Sequence, residues 1–292
     1  MYHYNNISMI PDIYIYELFL RDGLQSLSKS YSVSERYEMF TLLNNCGLKG
    51  IEFGSTTHPK IVPQMEGSYE LWNLIKHNLK QDTTYTMLTP SIHHLDKVLL
   101  SDITSIGLVV SLSDDFAYKN MRMTSRQTFD QAKQMIDKIP NGVHIRIYLS
   151  YAFDTQLETL EKITRYTKEL TSIALARNYS KNRFDIVLAD TVGNCDVETI
   201  QTVLDAIEDK EFIGVHLHVK AEFERLLDIL LENKIYKFDS SLLGIGGCPY
   251  AEELIGNVST LPLVKYLHKK GYHTGVNVEV LEKASQEINI NR

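Results

Sequence analysis

The sequence predicts an α/β protein folded as a single (β/α)8 TIM barrel, with its active site at the C-terminal rim of the strands. Three observations carry that expectation. Eight short apolar segments alternate strictly with longer helical ones, and no low-complexity linker interrupts them. The apolar segments are hydrophobic on both faces, as strands buried in a parallel sheet are. The turn after the first of them, Arg21-Asp22-Gly23-Leu24-Gln25, is not the Gly-rich phosphate turn that opens a doubly wound sheet. Eight strand–helix units within 292 residues therefore favour closure into a barrel. The expected organisation is one domain over 1–292, with the part from about 252 to 292 supplying the closing helices.

Taken in order, Ile13 to Leu20 reads as the first strand, and Ser34 as the N-cap of a helix that Cys46-Gly47 ends. The second strand is Leu48 to Gly54. It is followed by the Pro-punctuated loop Thr57 to Met65 and a helix around Tyr69 to Leu79. The third strand, Thr83 to Leu88, leads into a helix over His93 to Leu100. The fourth, Ile106 to Leu112, precedes a long helical stretch in which Ser125 is the expected cap of the part from Arg126 to Ile139. The fifth strand is Val143 to Leu149, with its helix from Leu157 to Arg177. The sixth is Phe184 to Ala189, with Val197 to Ile207 after it. The seventh is Phe212 to His218, followed by Ala221 to Asn233, and the eighth is Phe238 to Leu243. Helices over Leu261 to Lys269 and Val278 to Glu287 close the chain.

Composition narrows the function classes. The chain is 43% hydrophobic and 23% charged, with a formal net charge of -7. No Lys/Arg cluster stands out, which argues against a nucleic-acid partner. No apolar run is long enough to span a membrane. The N-terminus lacks the basic-then-apolar layout of a signal peptide. The three cysteines, Cys46, Cys195 and Cys248, are too scattered for a disulfide framework. The expected setting is the cytoplasm, with free thiols.

On this frame the polar residues gather on one rim. Arg21 and Asp22 follow strand one, Glu52 ends strand two, Asp190 ends strand six, and His216 and His218 end strand seven. The two histidines stand at i and i+2, so a strand would project both from one face. Gly244-Ile245-Gly246-Gly247-Cys248-Pro249-Tyr250 leaves strand eight, and Asn257 lies just beyond. Each residue alone has an ordinary explanation as a cap, a surface ion pair or a core histidine. Together they make a mixed N/O set suited to an open octahedral divalent ion, Mg2+ or Mn2+, with Zn2+ compatible. Such a face chelates a substrate hydroxyl and carbonyl. Arg21 would stabilise a developing enolate oxygen. Gly244, Gly246 and Gly247 give the Cys248 loop freedom to move, and the thiol there could act as nucleophile or proton donor.

These segments, with His58 to Met65, Asp190-Thr191-Val192-Gly193, Gly256-Asn257 and His273 to Asn277, resemble the metal-dependent lyase barrels related to hydroxymethylglutaryl-CoA lyase. The resemblance runs from about Glu17 to Asn277. It implies Asp22, His216, His218 and Asn257 as metal ligands, and Arg21, Asp190, His216 and Cys248 as catalytic residues. Glu17, Gln25, Glu52 and Thr191 would support them. The implied reaction is retro-aldol (retro-Claisen) cleavage of 3-hydroxy-3-methylglutaryl-CoA to acetyl-CoA and acetoacetate, by a homodimer. Two departures bear on the substrate. Val219-Lys220-Ala221-Glu222 stands where the family usually has Asp-Thr-Tyr-Gly, and Ser150 to Asp154 runs directly into the next helix. They keep open a related lyase, aldolase or condensing enzyme acting on another hydroxy-acid or acyl-CoA, and a non-catalytic barrel.

Overall fold

Eight parallel strands pair in sequence order and close into a barrel, with β8 returning to β1. The computed structural model describes residues 12–218, 222–247, 256–288 and 290. The strands are β1 (Tyr14–Glu17), β2 (Gly50–Ser55), β3 (Thr84–Leu88), β4 (Ser105–Ser111), β5 (His144–Ser150), β6 (Phe184–Ala189), β7 (Ile213–His216) and β8 (Lys237–Ser240). Closure runs through four β1–β8 partners, from Tyr14 opposite Lys237 to Glu17 opposite Ser240.

The surrounding helices are α1 (Val33–Asn44), α2 (Ser68–Ile75), α3 (Leu95–Leu100), α4 (Asp114–Met121), α5 (Ser125–Lys138), α6 (Leu157–Ala176), α7 (Val197–Asp205), α8 (Phe223–Glu232), α9 (Thr260–Lys269) and α10 (Val278–Glu287). Two caps differ from expectation. Ser32, not Ser34, caps α1, because Glu35 three residues on bonds back to the Ser32 backbone and completes a capping box. Thr124, not Ser125, caps α5 for the same reason, with Gln127 as its reciprocal partner. Arg122 takes a left-handed conformation and divides the long stretch into α4 and α5.

The apolar core lies between barrel and helices. Phe53 from β2 stacks on Trp72 from α2 at 5.3 Å between ring centres, and the Trp72 indole donates to the Ser101 carbonyl. The barrel interior is instead largely polar. Arg146, Asp185, His144, Lys237 and Asp239 are all buried there and bonded to one another.

β1 is shorter than its apolar run suggests. Phe19–Gly23 leaves the sheet as one π-helical turn, with the Gly23 amide reaching the Leu18 carbonyl at 3.2 Å. β8 likewise gives way to a 3-10 turn, Leu242–Gly244. These two turns carry the chain onto the C-terminal rim.

Candidate active site

Glu17 joins the two turns. Its side chain is fully buried and accepts from the Phe19 amide at 3.0 Å, the Leu242 amide at 2.8 Å and the Thr260 hydroxyl at 2.6 Å. Burial pushes its carboxyl up to about 7, against the lowering pull of those hydrogen bonds. Arg21 and Asp22 sit on the π-turn that Glu17 holds, a backbone form common at functional sites.

Asp22, His216 and His218 place their ligand atoms within 4.8 Å of one another. The His216 and His218 Nε2 atoms face each other at 2.9 Å. β7 ends at His216, so His218 belongs to the following loop, yet both imidazoles are buried against one point. Asn257 donates to Asp22 Oδ2 at 2.7 Å and to the Ile245 carbonyl at 3.1 Å. Its buried Oδ1 has no hydrogen-bond partner among the described residues. Burial would raise the Asp22 carboxyl, but Arg21 and the two imidazoles outweigh it and hold it down to about 2. A carboxylate, two imidazole nitrogens and an unpartnered amide oxygen fit a divalent cation.

Arg21 is tied down on both sides. Its Nε meets Glu52 Oε1 at 2.6 Å and its Nη1 meets Asp22 Oδ1 at 2.5 Å. Those carboxylates overcome the burial penalty and raise its pKa further. The third guanidinium nitrogen belongs to neither pair. Tyr148 on β5 donates to the other Glu52 oxygen at 2.5 Å, and its ring lies 5.9 Å from the Arg21 guanidinium. Tyr148 thus belongs to the cluster around Arg21, and no sequence motif points to it.

Asp190 accepts from the Asn194 and Cys195 amides at 2.9 and 3.3 Å, and burial pushes it up to about 6. It therefore folds its own loop, and the His216 imidazole is close enough to exert a small lowering pull on it. Thr191 accepts from the Tyr151 amide at 2.8 Å and anchors the loop after β5. Gln25 is half-buried just past the π-turn. Gly244, Gly246 and Gly247 all have positive φ, which explains glycine there. A Cβ on Gly246 would come within 2.0 Å of Asn257 Nδ2, so this backbone lies against the ligand set. Cys248, Val219 and Lys220 lie outside the described residues. Cys46 is buried just past the C-terminal end of α1 with its thiol pushed up to about 12 by burial, the ordinary fate of a packed cysteine. A cavity of about 790 Å³ opens at the opposite mouth, around Lys181, Asp209 and Lys237, and touches none of these ligand candidates.

A closed eight-stranded barrel with an acid, two histidines and an amide converging beside an arginine on its C-terminal rim has the features of a metal-dependent barrel enzyme. The chain belongs to the HMGL-like family, whose model matches residues 12–288. It is 27% identical over 278 residues to a Pseudomonas aeruginosa 3-hydroxy-3-isohexenylglutaryl-CoA/hydroxy-methylglutaryl-CoA lyase, covering 92% of this chain and 89% of that one. It is 28% identical over 295 residues to a Rattus norvegicus cytoplasmic 3-hydroxy-3-methylglutaryl-CoA lyase, covering 97% and 82%. Among solved structures, the Brucella melitensis HMG-CoA lyase superimposes with a TM-score of 0.82 at 26% identity, over 94% of this chain and 96% of that one.

Proposed function

We propose that this chain is a divalent-metal-dependent carbon–carbon lyase that cleaves 3-hydroxy-3-methylglutaryl-CoA to acetyl-CoA and acetoacetate. The observation that carries this reading is the convergence of Asp22, His216, His218 and Asn257 beside Arg21. The names of the relatives support the substrate class. Asp22, His216, His218 and Asn257 would hold the cation, Mg2+ or Mn2+, with Zn2+ compatible. When bound, it supplies Lewis-acid chemistry that acidifies a hydroxyl and polarises a carbonyl.

The chain's own residues divide the remaining work. Asp190, raised by burial to about 6, receives the proton of the tertiary 3-hydroxyl. The bond between the hydroxyl-bearing carbon and the thioester α-carbon then breaks. Its electron pair moves into the thioester as an enolate, and the hydroxyl carbon becomes the ketone of acetoacetate. Arg21, oriented by Glu52 and Asp22, places positive charge at the enolate oxygen. The Cys248 thiol returns a proton to the α-carbon and so yields acetyl-CoA. The same reading includes a homodimer, checked by light scattering, and the cytoplasm as compartment, checked by fractionation of the source cells. It also takes residues 1–292 as one folding unit.

The test is acetoacetate and acetyl-CoA release by metal-loaded protein. Release should stop with EDTA, return on adding Mg2+ or Mn2+, and fall in Cys248→Ala. Absence of turnover in the metal-loaded protein would sink the substrate assignment. A second reading keeps the chemistry and changes the acyl group. It is favoured by the loop after β5, which hydrogen bonds pin to the end of β6 on the substrate rim. Greater kcat/KM on a longer 3-hydroxyacyl-CoA than on the methyl substrate would select it.

A further inference from the structure

Beneath the ligand set, the barrel interior contains a buried polar column that no step above uses. Arg146 on β5 reaches across the barrel. Its Nη1 bonds Asp185 Oδ2 at 2.8 Å and its Nη2 bonds Asp239 Oδ1 at 2.5 Å. The Arg146 guanidinium lies 3.6 Å from the centre of the Tyr16 ring, which limits its movement. Lys237 and His144 complete the lower end by contacting the two Asp185 oxygens at 2.6 and 3.1 Å. At the upper end, the second Asp239 oxygen faces His216 Nδ1 at 3.4 Å. Both atoms are buried and neither makes a hydrogen bond among the described residues, so each is the nearest available partner for the other. The opposite nitrogen of the same imidazole points into the ligand set.

We propose that Asp239 is the positioning residue of the metal set, and that Arg146 holds Asp239 in place. A carboxylate facing Nδ1 keeps the proton on that nitrogen and leaves the Nε2 lone pair for the cation. Arg146 commits one Asp239 oxygen, so the other is presented to His216 in one orientation. Asp239→Asn would therefore damage the site in a specific way. An amide has one oxygen, and the guanidinium, which can only donate, would take it. The amide NH2 would then face His216 Nδ1 and favour the tautomer with its proton on Nε2, which cannot ligate.

This inference rests on the metal reading, and the experiment separates the two. Co2+ and Mn2+ affinities are measured by calorimetry, with the Co2+ visible spectrum as a second readout, for the full chain, Asp239→Asn, Asp239→Glu and Asp185→Asn. Loss of a hydrogen-bond partner behind a metal-bound histidine typically costs about 10–100-fold in affinity, and that loss is expected for Asp239→Asn. Asp239→Glu should recover part of it. Asp185→Asn breaks the same column without touching His216, so it should lower thermal stability and leave affinity unchanged. Equal affinity in Asp239→Asn and the parent would overturn the inference, as would an equal loss in Asp185→Asn. No binding by the parent would instead overturn the metal reading beneath it. Should Asp239→Asn fail to fold, 15N shifts of His216 in the metal-free parent decide, measured in alkaline buffer where the ring is neutral. A proton on Nδ1 is expected, and a proton on Nε2 would refute the assignment.

Discussion

Replacing Glu17 by Gln is expected to make the protein more stable above neutral pH and to leave it unchanged in acid. Burial pushes the Glu17 carboxyl from 4.5 up to about 7. Each pH unit of such a displacement carries about 1.4 kcal/mol, so holding this group ionised costs roughly 3 kcal/mol. The sign follows from proton counting. Below pH 4.5 the group is protonated in both folded and unfolded chains. Between 4.5 and about 7 the folded chain holds the extra proton, so this group's contribution to stability declines as pH rises through that window. Gln reproduces the protonated acid. Its oxygen can keep the Phe19 and Leu242 amides, and its NH2 can face the Thr260 hydroxyl, which can also accept. Urea unfolding of parent and variant would be followed at several pH values by circular dichroism and by fluorescence of the single tryptophan, Trp72. Coincident transitions are needed before midpoints are converted to free energies. The variant should match the parent in acid and exceed it by up to about 3 kcal/mol above neutral pH. A stability difference that does not change with pH would show that Glu17 is not held protonated, and the reasoning would fail.

Three further outcomes follow from the same geometry. Arg21→Lys loses the fork that meets Glu52 and Asp22 together, so kcat should fall about 100- to 1,000-fold with a smaller change in KM, measured by steady-state kinetics. Gly246→Ala drives a Cβ into Asn257 and Asp22 at a positive φ, so calorimetry should find divalent-metal affinity at least tenfold weaker while the circular dichroism stays native. Arg36 is buried and donates to the Glu66 and Phe53 carbonyls at 2.8 and 3.2 Å. Arg36→Met should therefore lower unfolding stability by about 2 kcal/mol, because the buried Phe53 carbonyl and the more exposed Glu66 carbonyl lose a charged donor, with kcat unchanged well below the melting temperature.

The barrel was legible because buried parallel strands and amphipathic helices carry different periodicities, and eight alternations leave few arrangements. The cluster of Asp22, His216, His218 and Asn257 was legible because its members end a strand or lie on the segments that follow one, and strand ends in a barrel share a rim. The π-turn was not. Phe19 and Leu20 are buried whether or not the strand continues through them, so the apolar run conceals where β1 stops. Tyr148, Arg146 and Asp239 were also missed, because they lie within strands, where motif reading looks for packing. A signal did exist. Arg146, Asp185, Lys237 and Asp239 interrupt apolar strands, and such residues are almost never fully buried unless paired. Four of them in β5, β6 and β8 could have pointed to an interior network.

That network and Glu17 solve different parts of one positioning problem. The column beneath the site is balanced, with Arg146 and Lys237 against Asp185 and Asp239. Burial keeps His144 toward its neutral form, so it adds little net charge. A balanced column can hold His216 from below without cancelling the negative charge that Asp22 offers a cation above. The strands cannot do the same for Asp22 and Asn257, because both lie on segments that have left the sheet. One buried carboxyl, Glu17, ties the π-turn after β1 to the turn after β8 and to the start of α9. Placing it there sacrifices stability above its pKa, a local cost of the kind that functional sites retain. The rigidity of the candidate ligand set thus draws on two buried acids outside it: Asp239 for His216, which ends a strand, and Glu17 for the segments that carry Asp22 and Asn257.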